Sequence, residues 1–206
     1  MGIKVNQETL QMIADLSNAR GASGFEDETV QAAAKHIGEG YTTEEDCLRN
    51  FYMYRTANSG NKPVFMLDAH SDEVGFMVHS IRPNGTLRFV ALGGWNVGSL
   101  ASSKVLVRNS EGKYLPGVIA AKPVHFMSAS EKASAGAADI SSLSIDIGAV
   151  SAKDAAENFK IRIGEPVVPD VTLEYDEEHD LMFGKAFDCR IGCAALIETL
   201  RRLRDE

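Results

Sequence analysis

The chain has 206 residues, 44% of them hydrophobic, and a formal net charge of −8. That length holds one domain or two small ones with a real core, which excludes wholesale disorder. The acidic balance and the lack of a long basic block argue against a nucleic-acid surface.

Residues 1–9 carry no apolar signal core, and no apolar run approaches a membrane span. Cys47, Cys189 and Cys193 form an odd set without CxxC spacing. This argues against a disulfide framework and against a zinc knuckle. The expectation is a cytoplasmic protein with free thiols and no membrane partner.

Leu10, Ile13, Ala14 and Ser17 recur at helical spacing and predict a helix over 8–19. Ser23-Gly24-Phe25-Glu26 has the capping-box pattern and predicts a second helix to about Ile37, with Val30, Ala33, Ala34 and Ile37 inward. Gly38 and Gly40 end it. Residues 42–55 read as a strand pair, 58–62 as a turn and 64–67 as a buried strand. From Gly75 the character changes. Residues 75–81 read as a strand, and Pro83-Asn84-Gly85 as the turn of a hairpin. Short β runs follow at 104–108, 114–120 and 143–147, with a turn at 109–112 and a loop rich in Ser, Ala and Gly at 128–142. No long amphipathic helix interrupts 75–151, so this stretch predicts a compact all-β unit inserted into a helix-bearing domain. Ser151 caps a short helix to about Phe159. Residues 166–168 and 171–175 return to strand character, 176–180 form an acidic turn, and a helix closes the chain. That helix carries Cys193, Ile197, Leu200 and Arg204 on one stripe, with Leu196 and Leu203 beside it.

Between the predicted strands at 64–67 and 75–81 sit His70, Asp68, Asp72 and Glu73. A polar cluster at the mouth of a buried strand is where α/β enzymes place chemistry. A neutral imidazole is a common metal ligand, and a nearby carboxylate such as Asp72 fixes its tautomer. His-x-Asp alone is common in polar turns. Asp188 lies just before the last helix, where the local pattern reads as an N-cap. His70, Asp72 and Asp188 each sit where a strand ends or a helix begins, and such positions can converge in an α/β domain.

Several stretches, in order, resemble one family. They are Gly21-Ala22-Ser23-Gly24-Phe25-Glu26, Ala69-His70-Ser71-Asp72-Glu73-Val74-Gly75-Phe76-Met77-Val78, Gly93-Gly94-Trp95, and Pro116-Gly117-Val118-Ile119 with Lys122-Pro123-Val124-His125. Asp146-Ile147-Gly148-Ala149, Gly164-Glu165-Pro166-Val167-Val168 and Lys185-Ala186-Phe187-Asp188-Cys189-Arg190-Ile191-Gly192-Cys193 follow. The chain resembles the glutamyl and deblocking aminopeptidases, metallopeptidases that assemble into tetrahedral dodecamers. The resemblance implies an α/β zinc-aminopeptidase-like catalytic domain over 1–72 and 170–206, incomplete, with an inserted barrel-like dimerisation domain over 73–169. It implies two divalent metal ions, zinc or cobalt, with His70 a terminal ligand, Asp188 bridging the ions and Asp72 holding His70. Peptides would be the substrates and further copies of the chain the partners. Trp95 reads as a β-core aromatic and His125 as a structural or interface residue.

The family pattern also takes a general-base Glu beside a ligand Glu, a further Asp and a late His, all downstream of the second metal motif. Glu44-Glu45 and Glu177-Glu178 precede Asp188 and cannot fill those roles, and His179 sits in the acidic turn. Cys189 stands where the family often has Asp or Asn, and Cys47-Leu48-Arg49-Asn50 where it usually has Gly before Asn. Two readings follow: part of a metal-dependent aminopeptidase, or a catalytically silent homologue that acts as an oligomerising module. An open sheet edge and an uncovered apolar face are expected in either case.

Overall fold

The computed structural model describes residues 5–58, 60–61, 63–129 and 139–204. In chain order the helices and strands are α1 (Gln7–Asn18), α2 (Asp27–Lys35), β1 (Tyr41–Glu45), β2 (Phe51–Arg55), β3 (Gly75–Ile81), β4 (Leu87–Leu92), β5 (Lys104–Arg108), β6 (Tyr114–Ala120), β7 (Ser144–Asp146), α3 (Ala152–Glu157), β8 (Pro166–Pro169), β9 (Glu174–Asp176), β10 (Leu181–Phe183) and α4 (Phe187–Leu203). They divide into two compact units, Met1–Glu73 with Val171–Glu206, and Val74–Asp170.

In the second unit, six antiparallel strands close a barrel in the order β3-β4-β7-β6-β5-β8. Closure leaves no free edge. Alternation along each strand sends Phe76, Val78, Leu87, Phe89, Val105, Val107, Ile119, Ile145 and Val167 inward. Phe76 stacks on Trp95 at 4.6 Å and meets Phe89 edge-on at 4.9 Å. The Trp95 indole N–H donates to the Gly75 carbonyl at 3.0 Å, so Trp95 serves the barrel wall. The β3–β4 turn needs Gly85, whose φ is +88°; a Cβ there would come within 2.3 Å of the Ala149 carbonyl oxygen. Ser151 caps α3 as expected, accepting from the Asp154 amide at 3.1 Å. His125 is exposed on a 3₁₀ turn, Val124–Phe126. Of the expected loop at 128–142, residues 130–138 lie outside the described residues, and Ile140–Ser142 is a 3₁₀ turn.

In the first unit, α1 and α4 pack around Met12, Leu16, Ala194 and Ile197. Asn6 caps α1 by accepting from the Thr9 amide at 2.8 Å. The inward face is rotated from the expected one: Met12, Leu16 and Ser17 are buried, while Leu10 and Ile13 are only half-buried. The stripe on α4 likewise centres on Arg190, Ala194 and Ile197, not on Cys193, Leu200 and Arg204. The expected strand pair is β1–β2, with Tyr41 opposite Arg55 and Glu45 opposite Phe51. Asp46 closes its turn by accepting from the Leu48 and Asn50 amides at 2.9 and 3.0 Å. Residues 171–173 are irregular, and β9 pairs instead with β10 across the acidic turn.

The buried strand expected at 64–67 is not formed. Val64, Phe65, Met66 and Leu67 are 81, 87, 77 and 49% exposed, without strand pairing among the described residues. An apolar run becomes an interior strand only when neighbours supply its hydrogen bonds, and β1–β2 pair with each other instead.

Candidate metal centre

The predicted residues meet in the first unit, on the turn that precedes β3. That turn is tied to the loop after α1: Glu73 donates its amide to the Gly21 carbonyl at 2.8 Å and accepts from the Gly21 amide at 3.1 Å. Asp188 arrives from the other side. Ala186 lies in the left-handed region (φ 56°), and Asp188 and Cys189 are non-helical, joined by a cis peptide bond. The cap position of the helix falls at Ala186, so Asp188 is not the N-cap its local pattern suggested. Its side chain, 96% exposed, turns out of the helix and reaches His70.

His70 Nδ1 lies 3.1 Å from Asp72 Oδ1, and its Nε2 lies 3.1 Å from Asp188 Oδ1. The second oxygen of Asp72 accepts from the Ser23 hydroxyl at 2.5 Å. Ser23 is the residue expected to cap α2. It does not: the helix starts at Asp27 without a side-chain cap, and Glu26 accepts from the Gly24 amide at 2.7 Å instead. Serine offers one hydroxyl, and Asp72 takes it. The Cys189 thiol completes a group with His70 and Asp188 whose donor atoms lie within 4.8 Å of one another. Cys193 donates to the His70 carbonyl at 3.4 Å, and burial pushes its thiol up to about 11, so it stays protonated at neutral pH.

Beneath the turn lies a buried charge cluster absent from the sequence reading. Lys185 donates to Glu73 Oε1 at 2.8 Å, and Arg190 approaches the same oxygen at 3.6 Å. The three side chains are 7, 1 and 1% exposed. Burial lowers the pKa of both cations, and the Glu73 carboxylate opposes that shift. One signal could have exposed Arg190: it shares the apolar stripe of α4 with Ala194 and Ile197, and a charge on such a stripe is seldom left without partners.

The ring of His70 tests whether a metal suits these residues. Both of its nitrogens face carboxylate oxygens. A neutral imidazole donates only one hydrogen bond. With Nδ1–H given to Asp72, the Nε2 lone pair meets the Asp188 carboxylate, and a cation between them removes the repulsion. Imidazole, carboxylate and thiol are donors that zinc and cobalt accept, whereas magnesium prefers oxygen alone. The residues fit such an ion.

The family model for the M42 glutamyl aminopeptidases matches residues 50–206. The chain belongs to that family. It is 32% identical to the glutamyl aminopeptidase of Lactococcus lactis over 200 residues, covering 97% of this chain and 56% of that protein. The crystal structure of a TET aminopeptidase from the marine sediment archaeon Thaumarchaeota archaeon SCGC AB-539-E09 is 32% identical and superposes with a TM-score of 0.88, over 97% of this chain and 55% of that one. The aminopeptidase APDkam598 of Desulfurococcus kamchatkensis, 28% identical, gives 0.82 over 95 and 52%. This M42 chain thus spans about half the length of the relatives it matches. Among its described residues no helix is long and apolar enough to cross a membrane.

Proposed function

We propose that His70 and Asp188 are ligands of a divalent metal centre, zinc or cobalt, and that the chain serves a metal-dependent aminopeptidase acting on the N-terminal residue of peptides. The observation that carries this is the opposition of His70 Nε2 and Asp188 Oδ1 at 3.1 Å, with Asp72 behind the ring. Asp72 accepts a hydrogen bond from Nδ1–H, fixes the tautomer and leaves Nε2 free to ligate. Ser23 engages the other Asp72 oxygen and so holds the carboxylate plane. Asp188 is so exposed that its second oxygen can serve a second ion, the bridging role expected from the family. A bound pair of ions would polarise the scissile carbonyl and supply a nucleophilic water at neutral pH. Among the described residues of this site, none fills the general-base role that the family pattern requires. The role of this chain is the ligand set and its support.

We further propose that residues 73–169 form a dimerisation insert and that the protein self-associates in the cytoplasm. The barrel's standing as a compact unit of its own supports the insert, and the three free cysteines support the compartment. A second reading, an associating module without hydrolysis, draws on the exposed run at 64–67.

Zinc content by mass spectrometry and hydrolysis of leucyl and glutamyl anilides with added zinc or cobalt test both. Metal binding with hydrolysis, each abolished by His70→Ala and Asp188→Ala, is the expected result. Binding without hydrolysis selects the second reading. Zinc affinity that survives both substitutions refutes the site.

A further inference from the structure

We propose that Arg190 is a positioning residue that sets the spacing between the His70 turn and Asp188. The proposal rests on the metal reading above. Arg190 lies two residues beyond Asp188 on α4, and its side chain is 1% exposed. Its Nε donates at 2.8 Å to the carbonyl of Ser71, the residue between His70 and Asp72. Its Nη1 donates to the carbonyls of Leu16, Ser17 and Ala19 at 3.0, 3.4 and 2.6 Å. Those are terminal carbonyls of α1, which lack partners within the helix and lie at the negative end of its dipole. Its Nη2 donates to the Gly21 carbonyl at 3.4 Å and to the Thr29 hydroxyl at 3.0 Å. One guanidinium, rooted in the helix that carries Asp188, thus binds the end of α1, the start of α2 and the His70 turn.

Only arginine provides this fork. Its five N–H donors lie in one plane at fixed angles, whereas lysine is a point charge with three rotating donors. Gly21 leaves the fork its space: a Cβ there would come within 2.9 Å of Nη2 and 2.4 Å of the Thr29 hydroxyl. Placing two cations on one buried carboxylate is expensive, and packed apolar side chains could fill the same volume. A purely structural role needs none of this connection to Ser71. The Nε–Ser71 bond matters because the residues flanking Ser71 are a ligand and the carboxylate that orients it. Ligand distances tolerate only about 0.2 Å, so a shift of this turn relative to Asp188 registers directly in affinity.

The test compares Arg190→Lys, Lys185→Met and the wild-type chain. Zinc affinity is read by competition with a chromogenic chelator, and the His70 imidazole nitrogens by NMR in the metal-free chain. Folded Arg190→Lys should lose about 10- to 100-fold in zinc affinity, with its His70 signals moving toward those of free imidazole. Lys185→Met removes a neighbouring buried charge but keeps the Ser71 bond; it should lose stability and keep zinc affinity. Unchanged affinity and unchanged His70 signals in Arg190→Lys overturn the proposal, as does an equal loss in Lys185→Met. Should Arg190→Lys not fold, Thr29→Val, which removes one acceptor at constant volume, and Gly21→Ala, which displaces Nη2, take its place. Both should weaken zinc binding, and wild-type affinity in both defeats the proposal. A wild-type chain that binds no zinc defeats the metal reading instead, and the His70 signals then decide Arg190 alone.

Discussion

The barrel unit and the helix-bearing unit solve the same problem differently. In the barrel every strand finds two neighbours, and the inward side chains fill a single core of Phe, Val, Ile and Leu. In the helix-bearing unit the strands form two separate pairs, an apolar run at 64–67 faces solvent, and a buried Arg–Glu–Lys cluster occupies the ground beneath the site. Apolar packing is non-directional and tolerates rearrangement, whereas a guanidinium fork admits few geometries. The barrel core rests on the first alone, whereas the helix-bearing unit adds the second to its own apolar core of Met12, Leu16, Ala194 and Ile197.

Substitutions can break that comparison. The largest effect is expected from Phe76→Ala, which empties the centre of the barrel. Denaturant titration should show a loss of about 3–5 kcal/mol, while zinc affinity at His70 stays at its wild-type value. Next are His70→Ala and Asp188→Ala. Each removes a proposed ligand from an exposed position, so chelator competition should show zinc affinity falling by about 100-fold or more, with the melting curve of the metal-free chain unmoved. Ser23→Ala releases one oxygen of Asp72 and should cost about 10-fold in zinc affinity; Ser23→Thr, which keeps a hydroxyl, should restore it.

Smaller effects sharpen the contrast. Burial works against the charge on Asp15, but hydrogen bonds from Lys35, His36 and Gln11 prevail and hold its carboxyl below the usual range. A depressed carboxyl stabilises the fold above the unfolded-state value of about 4, and that contribution disappears as pH falls through the folded value. Asp15→Asn should flatten the acid limb of the stability curve by about 1 kcal/mol or less. The smallest effect belongs to Phe65, which is 87% exposed. Phe65→Ser should move stability by no more than about 0.5 kcal/mol, and a larger loss would show that the run at 64–67 is packed in solution.

The barrel strands were legible because period-two alternation and turn residues act over a few positions. β5 and β6 occupy the residues that the pattern marks, and Ser151 caps α3 where expected. The run at 64–67 misled because apolar composition states a preference for burial but not the presence of neighbours. Ser23 misled because a hydroxyl that can cap a helix can equally serve a distant carboxylate, and distance along the chain does not choose between them.

For the site, the sequence by itself determined the candidate ligands, His70 and Asp188, and the carboxylate that orients the first of them, Asp72, since residue type and ordered motifs carry that information. Only the tertiary structure decided that Asp188 leaves its helix to face the ring, that Ser23 holds Asp72, and that Arg190 ties Ser71 to the end of α1. Those contacts join segments from 49 to 171 residues apart. Local periodicity reports on neighbours within a few residues, and a buried polar group takes its partners from wherever the fold brings unpaired donors and acceptors together.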